Sequence, residues 1–191
     1  GWPDLYAFSS SIYPGSIVFL HNEQGKQFGN RVDVLPVHSV PGSNGGGLFA
    51  DYDNDGDQDL YIVNGSIVKE FYGSDMLLRN DGGTFSDVTY ETGLYSEHPT
   101  QTGSWADFDG DGWLDLFIGN ESRDGDMHRS ELFRNRGDGT FEEIANSVDL
   151  DVRQFVKGVD WGDYDNDGRP DLYLSILRGP NRLFRNAGAD G

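Results

Sequence analysis

Three stretches of the sequence superimpose without a gap: residues 47–63 (GLFADYDNDGDQDLYIV), 103–119 (GSWADFDGDGWLDLFIG) and 159–175 (VDWGDYDNDGRPDLYLS). Their first aspartates, Asp51, Asp107 and Asp163, are separated by 56 residues each time. Such a repeat constrains a chain strongly, because every copy must form the same unit and bury its apolar face against a neighbour. A second motif follows each copy, LLRN at 77–80, LFRN at 132–135 and LFRN at 183–186, and FLHN at 19–22 is a weaker fourth. A glycine-rich turn and a strand start come next, as in DGGTF (81–85), GDGTF (137–141) and EQGKQF (23–28).

Within one unit the pattern is all β. Residues 47–52 and 59–64 have strand-like lengths with an acidic loop between them, and 76–80 and 84–90 form a second hairpin around Asp81-Gly82-Gly83. Four short strands in a unit of this length predict a β-propeller blade. Phe49, Trp105 and Trp161 share one point on the first strand and are expected to pack between neighbouring blades. Residues 1–6 (GWPDLY) match 168–173 (GRPDLY), so the chain is expected to begin midway through an acidic loop. It stops in a turn where another Thr-Phe strand is due. The expectation is one propeller segment, 1–191, of about three and a half blades, cut from a longer repeat protein. The repeats fall at 1–46, 47–102, 103–158 and 159–191.

The loops read D-x-D-x-D-G-x-x-D: Asp51, Asp53, Asp55 and Asp59; Asp107, Asp109, Asp111 and Asp115; Asp163, Asp165, Asp167 and Asp171. Four carboxylates within nine residues repel one another unless a cation lies among them. Oxygen ligands at positions one, three and five, with glycine at six, follow the logic of a Ca²⁺ loop. Position seven would offer its carbonyl, so its side chain is free to vary, as Asp57, Trp113 and Arg169 do. Position nine would close the site, with both carboxylate oxygens. An EF-hand is excluded, because its twelfth position is acidic and here it is Ile62, Ile118 or Leu174. Mg²⁺ is disfavoured, since it resists losing water to an all-protein cage. Three Ca²⁺ ions are expected, one per complete loop, with a partial site at Trp2 and Asp4.

On these residues the chain resembles the FG-GAP/VCBS-type repeats of Ca²⁺-binding β-propellers, with wording closest to ASPIC/UnbV and cartilage-acidic-protein-like propellers. The match is carried by FADYDNDGDQDLYIVN, LLRNDGGTFSDVTYETGL, WADFDGDGWLDLFIGN, ELFRNRGDGTF and VDWGDYDNDGRPDLYLS. The resemblance implies a secreted or cell-surface protein (a periplasmic one is also compatible), with one Ca²⁺ per blade, similar to the blade loops of integrin α-subunits. It assigns ligand roles to Asp51, Asp53, Asp55, Asp57 (by carbonyl), Asp59 and the matching positions of the other two loops.

Composition narrows the function. With 33 acidic against 14 basic residues the formal charge is −19, which repels phosphate and argues against nucleic acid and anionic membranes as partners. No apolar run suits a membrane-spanning helix, and the absence of Cys removes disulfides and thiolate chemistry. Arg136-Gly137-Asp138 spells an adhesion tripeptide but lies in the repeat's own turn. Asn64 and Asn120 begin N-glycosylation sequons just after a strand, where exposure is expected. His21, His38, His98 and His128 share no metal-like spacing, and no nucleophile-elbow motif is present. No carboxylate stands isolated in an apolar context as an acid/base candidate. The expectation is therefore a non-catalytic module that binds a protein or glycan through its loops and docks on further blades or copies. Segments 30–45 and 95–102 depart most from the repeat and are the first places to seek a ligand site. The alternatives are a polysaccharide-lyase-like scaffold and a lectin, the latter drawing on Tyr95, Phe71 and Tyr72.

Overall fold

The computed structural model describes residues 4–8, 15–36, 39–40, 43–65, 74–123 and 125–188. Among these described residues, fifteen strands form four antiparallel sheets, the arrangement of a partial β-propeller. The first sheet holds β1 (Leu5–Phe8), β2 (Gly15–Asn22) and β3 (Phe28–Asn30) in that order, with the short β4 (Ser39–Val40) paired to the start of β2. The second is β5 (Ser43–Ala50), β6 (Asp59–Gly65), β7 (Met76–Asp81) and β8 (Thr84–Asp87). The third repeats it with β9 (Thr100–Ala106), β10 (Asp115–Asn120), β11 (Glu131–Asn135) and β12 (Phe141–Glu143). The fourth comprises β13 (Val156–Gly162), β14 (Asp171–Ile176) and β15 (Arg182–Phe184). The acidic loops join β5 to β6, β9 to β10 and β13 to β14, so every complete loop connects the first two strands of its sheet.

The apolar runs after the loops are explained by burial on both faces. Leu60 and Ile62 of β6 point into a cluster with Phe19, Leu35, Leu78 and Phe85, between the first and second sheets. Tyr61 and Val63, one residue out of phase, point into a cluster with Tyr52, Leu116, Ile118 and Phe141, between the second and third. Phe117 of β10 enters a further cluster with Leu172, Leu174 and Val156. The period-two alternation thus feeds two cores at once, and each core belongs to a junction between blades. Phe49, Trp105 and Trp161 lie against these clusters, and the Trp161 indole donates to the Ser104 carbonyl of the preceding sheet at 3.3 Å. Gly47 has a backbone reason: a Cβ there would come within 2.5 Å of the Tyr6 ring on the neighbouring sheet.

Three expectations need correction. The strand expected over 84–90 ends at Asp87, because Thr89–Thr92 form one helical turn closed by Gly93 at φ 81°. The Asp87 carboxylate accepts from the Thr89 amide and hydroxyl, and that local bonding draws the chain out of the ladder. Asn64 and Asn120 are not exposed: both are the buried ends of strands. The Asn120 amide nitrogen donates to the Arg129 carbonyl at 2.7 Å and to Glu131 at 3.0 Å, so it is closed to a glycan in the folded chain. Finally, one buried carboxyl does stand in the core outside the loops, Asp75, missed because its partners come from two other strands, β6 and β9. Its oxygens accept from the Tyr61 hydroxyl (2.9 Å), the Asn64 amide (2.6 Å) and the Thr100 hydroxyl (2.7 Å). Burial raises its pKa to about 7. Trp2, His38, Phe71 and Tyr72 lie outside the described residues.

Candidate metal centres

The acidic loops turn twice through the left-handed region. Gly56, Gly112 and Gly168 at position six have φ of 96°, 91° and 88°. Position four does the same with Asn54, Gly110 and Asn166, at 58°, 76° and 59°. Asn and Gly tolerate that conformation best, which explains why these loops admit little else there. The turns are tightened by carboxylates that accept backbone amides inside the loop. The first aspartate accepts from the position-six glycine amide, at 3.1 Å for Asp51, 3.0 Å for Asp107 and 2.9 Å for Asp163.

These turns bring positions one, three and nine together. Asp51, Asp53 and Asp59 offer carboxylate oxygens all within 4.8 Å of one another, and so do Asp107, Asp109 and Asp115, and Asp163, Asp165 and Asp171. Position five stands outside each triad: Asp55, Asp111 and Asp167 accept the amides of Asp57, Trp113 and Arg169. Position seven has a side-chain role that its variability conceals. Asp57 accepts the Gly82 amide at 2.8 Å, Trp113 lies against Gly137, and Arg169 donates to the Asn186 carbonyl at 2.9 Å. Three unlike side chains thus brace the same glycine-rich turn.

Position nine is a buried brace as well as a triad member. Asp59 accepts the Tyr52 amide (3.1 Å) from its own loop and the Asn80 amide (2.8 Å) from β7. Asp115 does so with Phe108 (3.1 Å) and Asn135 (2.8 Å), and Asp171 with Tyr164 (3.1 Å) and Asn186 (2.7 Å). Asp4 accepts the Asn22 amide at 2.7 Å, which places it in the same role in the first sheet. Each oxygen of position nine takes one amide, which leaves a lone pair on each for a cation.

The asparagine of the second motif is the residue the sequence did not assign. The Asn135 side chain donates to the Tyr52 carbonyl of the preceding loop at 2.8 Å and to Leu114 of its own loop at 3.2 Å. Asn186 repeats this with Phe108 (2.7 Å) and Pro170 (3.2 Å). Asn54 adds a bond to the Gly112 carbonyl at 3.2 Å, so adjacent loops share one rim. The recurrence of this asparagine in every copy of the second motif, as Asn80, Asn135 and Asn186, was the available signal.

The electrostatics ask for a cation. Burial pushes Asp59 and Asp115 up to about 7, with neighbouring carboxylates adding to the effect. Asp53 and Asp109 are raised by burial and by Asp55 and Asp111. Asp51 Oδ1 is buried and has no hydrogen-bond partner among the described residues, which is costly for a carboxylate oxygen in a triad unless an ion takes it up. The donor set is oxygen alone, hard, and suited to Ca²⁺, Mg²⁺ or Mn²⁺. The residues fit a divalent ion. The adhesion-like tripeptide, by contrast, is tied down: Arg136 pairs with Glu142 at 3.2 Å and Asp138 accepts the Thr140 amide at 3.0 Å.

Comparison with known proteins follows this geometry. The model of a family described as FG-GAP-like repeat matches residues 51–118 and 107–174, each match running from one acidic loop through the next. Cartilage acidic protein 1 of Xenopus tropicalis is 38% identical over 78 residues, covering 40% of this chain and 11% of that protein. Its Homo sapiens counterpart is 36% identical over 78 residues, with the same coverage. The matched stretch therefore spans about a tenth of the length of these relatives. Among solved structures, an Agrocybe aegerita lectin described as recognising non-reducing terminal N-acetylglucosamine aligns with 98% of this chain and 54% of its own, at TM-score 0.43 and 16% identity.

Proposed function

Because the chain belongs to the FG-GAP-like repeat family, we propose that it is a Ca²⁺-stabilised, non-catalytic propeller module of an extracellular protein, acting in binding or assembly. The ions are structural. They are held by Asp51, Asp53 and Asp59, by Asp107, Asp109 and Asp115, and by Asp163, Asp165 and Asp171, with Asp55, Asp111 and Asp167 turning in to complete the shell. Bound Ca²⁺ supplies positive charge where the loop carboxylates converge and so fixes the turn between the first two strands. The observation that carries this reading is the buried, unpartnered oxygen of Asp51 inside an all-oxygen triad. Extracellular Ca²⁺ modules bind at about 10⁻⁴–10⁻³ M, which suits a location outside the cell. A non-catalytic role is supported by Asp75: its raised pKa comes with complete burial, so no substrate reaches it.

Assembly is supported by the two end sheets. Leu5 is 48% exposed and Phe28 53%, whereas their register counterparts Leu60 and Phe85 are 0% and 7% exposed. At the other end Tyr173 is 42% exposed and Leu183 52%, against 0% for both Tyr61 and Leu77. These faces match the surfaces that close the internal junctions, and further blades of a longer chain or further copies would cover them.

The test is thermal melting of the chain in Ca²⁺, in Mg²⁺ and in EDTA. A rise of several degrees in millimolar Ca²⁺, and a smaller one in Mg²⁺, is expected. An identical melt in EDTA and in Ca²⁺ rules the structural ion out. Sedimentation checks the second half, since a stable monomer in dilute solution contradicts docking between end faces.

A further inference from the structure

His98 and His128 meet at the rim opposite the acidic loops. His98 precedes β9 and His128 precedes β11, each at the end of its strand remote from the loop, roughly 20 Å away by strand rise. Their Nδ1 atoms are 3.1 Å apart and the rings are edge to face, centroids 5.1 Å apart. At that distance two neutral imidazoles share one hydrogen, one Nδ1 donating and the other accepting.

The far side of His128 decides which. Its Nε2 faces the Asp126 carboxylate at 3.3 Å. A small rotation of the Asp126 carboxylate would let it accept from Nε2, the tautomer that leaves the Nδ1 lone pair for His98 or a metal. Metal-ligating histidines are held in this way: a carboxylate fixes the outer nitrogen and raises the basicity of the inner one. Two nitrogens bound to one tetrahedral Zn²⁺ at about 2.0–2.1 Å lie about 3.3 Å from each other. The observed separation differs from that by a few tenths of an ångström, within reach of small ring rotations.

The backbone beneath the pair is held in place. The His128 amide donates to Ser122 Oγ at 2.7 Å, and Ser122 Oγ donates back to the His128 carbonyl. Arg123 and Asp126 exchange backbone bonds of 3.0 and 2.9 Å. The His98 amide donates to Ser96 Oγ at 3.3 Å. Both rings are partly buried, which limits their rotamers.

We propose that His98 and His128 form a binding site for a borderline divalent transition ion such as Zn²⁺, with Asp126 orienting His128 and water completing the coordination. The site is independent of the acidic loops, because imidazole nitrogen favours Zn²⁺, Cu²⁺ or Ni²⁺ where all-oxygen triads favour hard ions.

Calorimetric titration of the chain with Zn²⁺ in saturating Ca²⁺ tests it. One Zn²⁺ per chain is expected, undisturbed by added Ca²⁺. His98→Gln and His128→Gln each weaken it at least tenfold, and Asp126→Asn weakens it about tenfold. The Ca²⁺ response of all three variants stays as in the parent. Imidazole ¹H–¹⁵N spectra of the unaltered protein give a readout that does not depend on any variant folding. Zn²⁺ should shift the His98 and His128 resonances and leave those of His21 in place. Zn²⁺ that Ca²⁺ displaces, binding that survives in both histidine variants, or imidazole resonances that do not move would each overturn the site.

Discussion

In the loop at 51–59 the triad carboxylates crowd one another, and Arg79, the nearest motif arginine, is engaged by Asp81 at 3.0 Å. In the loop at 163–171 the equivalent Arg185 reaches Asp165 at 2.7 Å and Asp167 at 3.1 Å, and Arg169 pairs with Asp167 as well. The consequences have opposite sign: burial and neighbouring acids raise Asp53, whereas Arg185 lowers Asp165. One cause lies inside the loop, where Arg169 stands at the position of Asp57. The other lies outside it. Two residues after the arginine stands Asp81 in one blade and Ala187 in the other, so Arg185 lacks that local acid and turns to the loop instead. The two loops therefore differ in their need for a cation through position seven and through one residue on the neighbouring hairpin.

The comparison breaks most visibly at position nine. Asp115→Ala strips an acceptor from the amides of Phe108 and Asn135 and should cost about 2–5 kcal/mol in denaturant unfolding. With both variants in EDTA, Asp165→Ala, at an exposed site, should leave the midpoint nearly unmoved; equal losses would remove the distinction between brace and ligand. A smaller effect separates the two rims by pH. Asp75 is raised to about 7, so between about pH 4 and 7 the folded chain holds a proton that the unfolded chain has released. Its contribution is complete below pH 4 and is lost as pH rises through 7. In saturating Ca²⁺, which keeps the loop carboxylates ionised, Asp75→Asn should flatten the stability profile across that window. A profile as steep as the parent's would place the titration elsewhere. Smallest of all, Arg185→Ala should raise Ca²⁺ affinity at the third loop by no more than about fivefold, since exposed pairs are weak. Arg79→Ala should change affinity at the first loop less than that; isothermal titration of the two variants decides whether the arginines set the difference.

The repeat, the four-stranded unit and the positive-φ glycines were legible in the sequence because they are local: period, turn chemistry and alternation lie within a few residues. Asp51, Asp53 and Asp59 come together as their spacing suggested, while Asp55 stands apart because its oxygen caps the turn. What escaped depends on contacts between blades. The partner of Asn135 lies 83 residues away, and His98 and His128 are 30 residues apart with no shared motif. Asn64 looked exposed from its place after an apolar run, yet its strand extends to Gly65 and turns its side chain inward. Asp75 gave no signal because the groups that bond it lie on β6 and β9, 11 to 25 residues away in sequence.

The asparagines that cross the second and third junctions give the array a direction. The carbonyl of Tyr52 is claimed by Asn135, and that of Phe108 by Asn186, in each case by a side chain translated later. During synthesis a nascent blade leaves its loop carbonyl to solvent until its successor has emerged from the ribosome and folded against it. In this sense each of these loops is finished only by the unit that follows it.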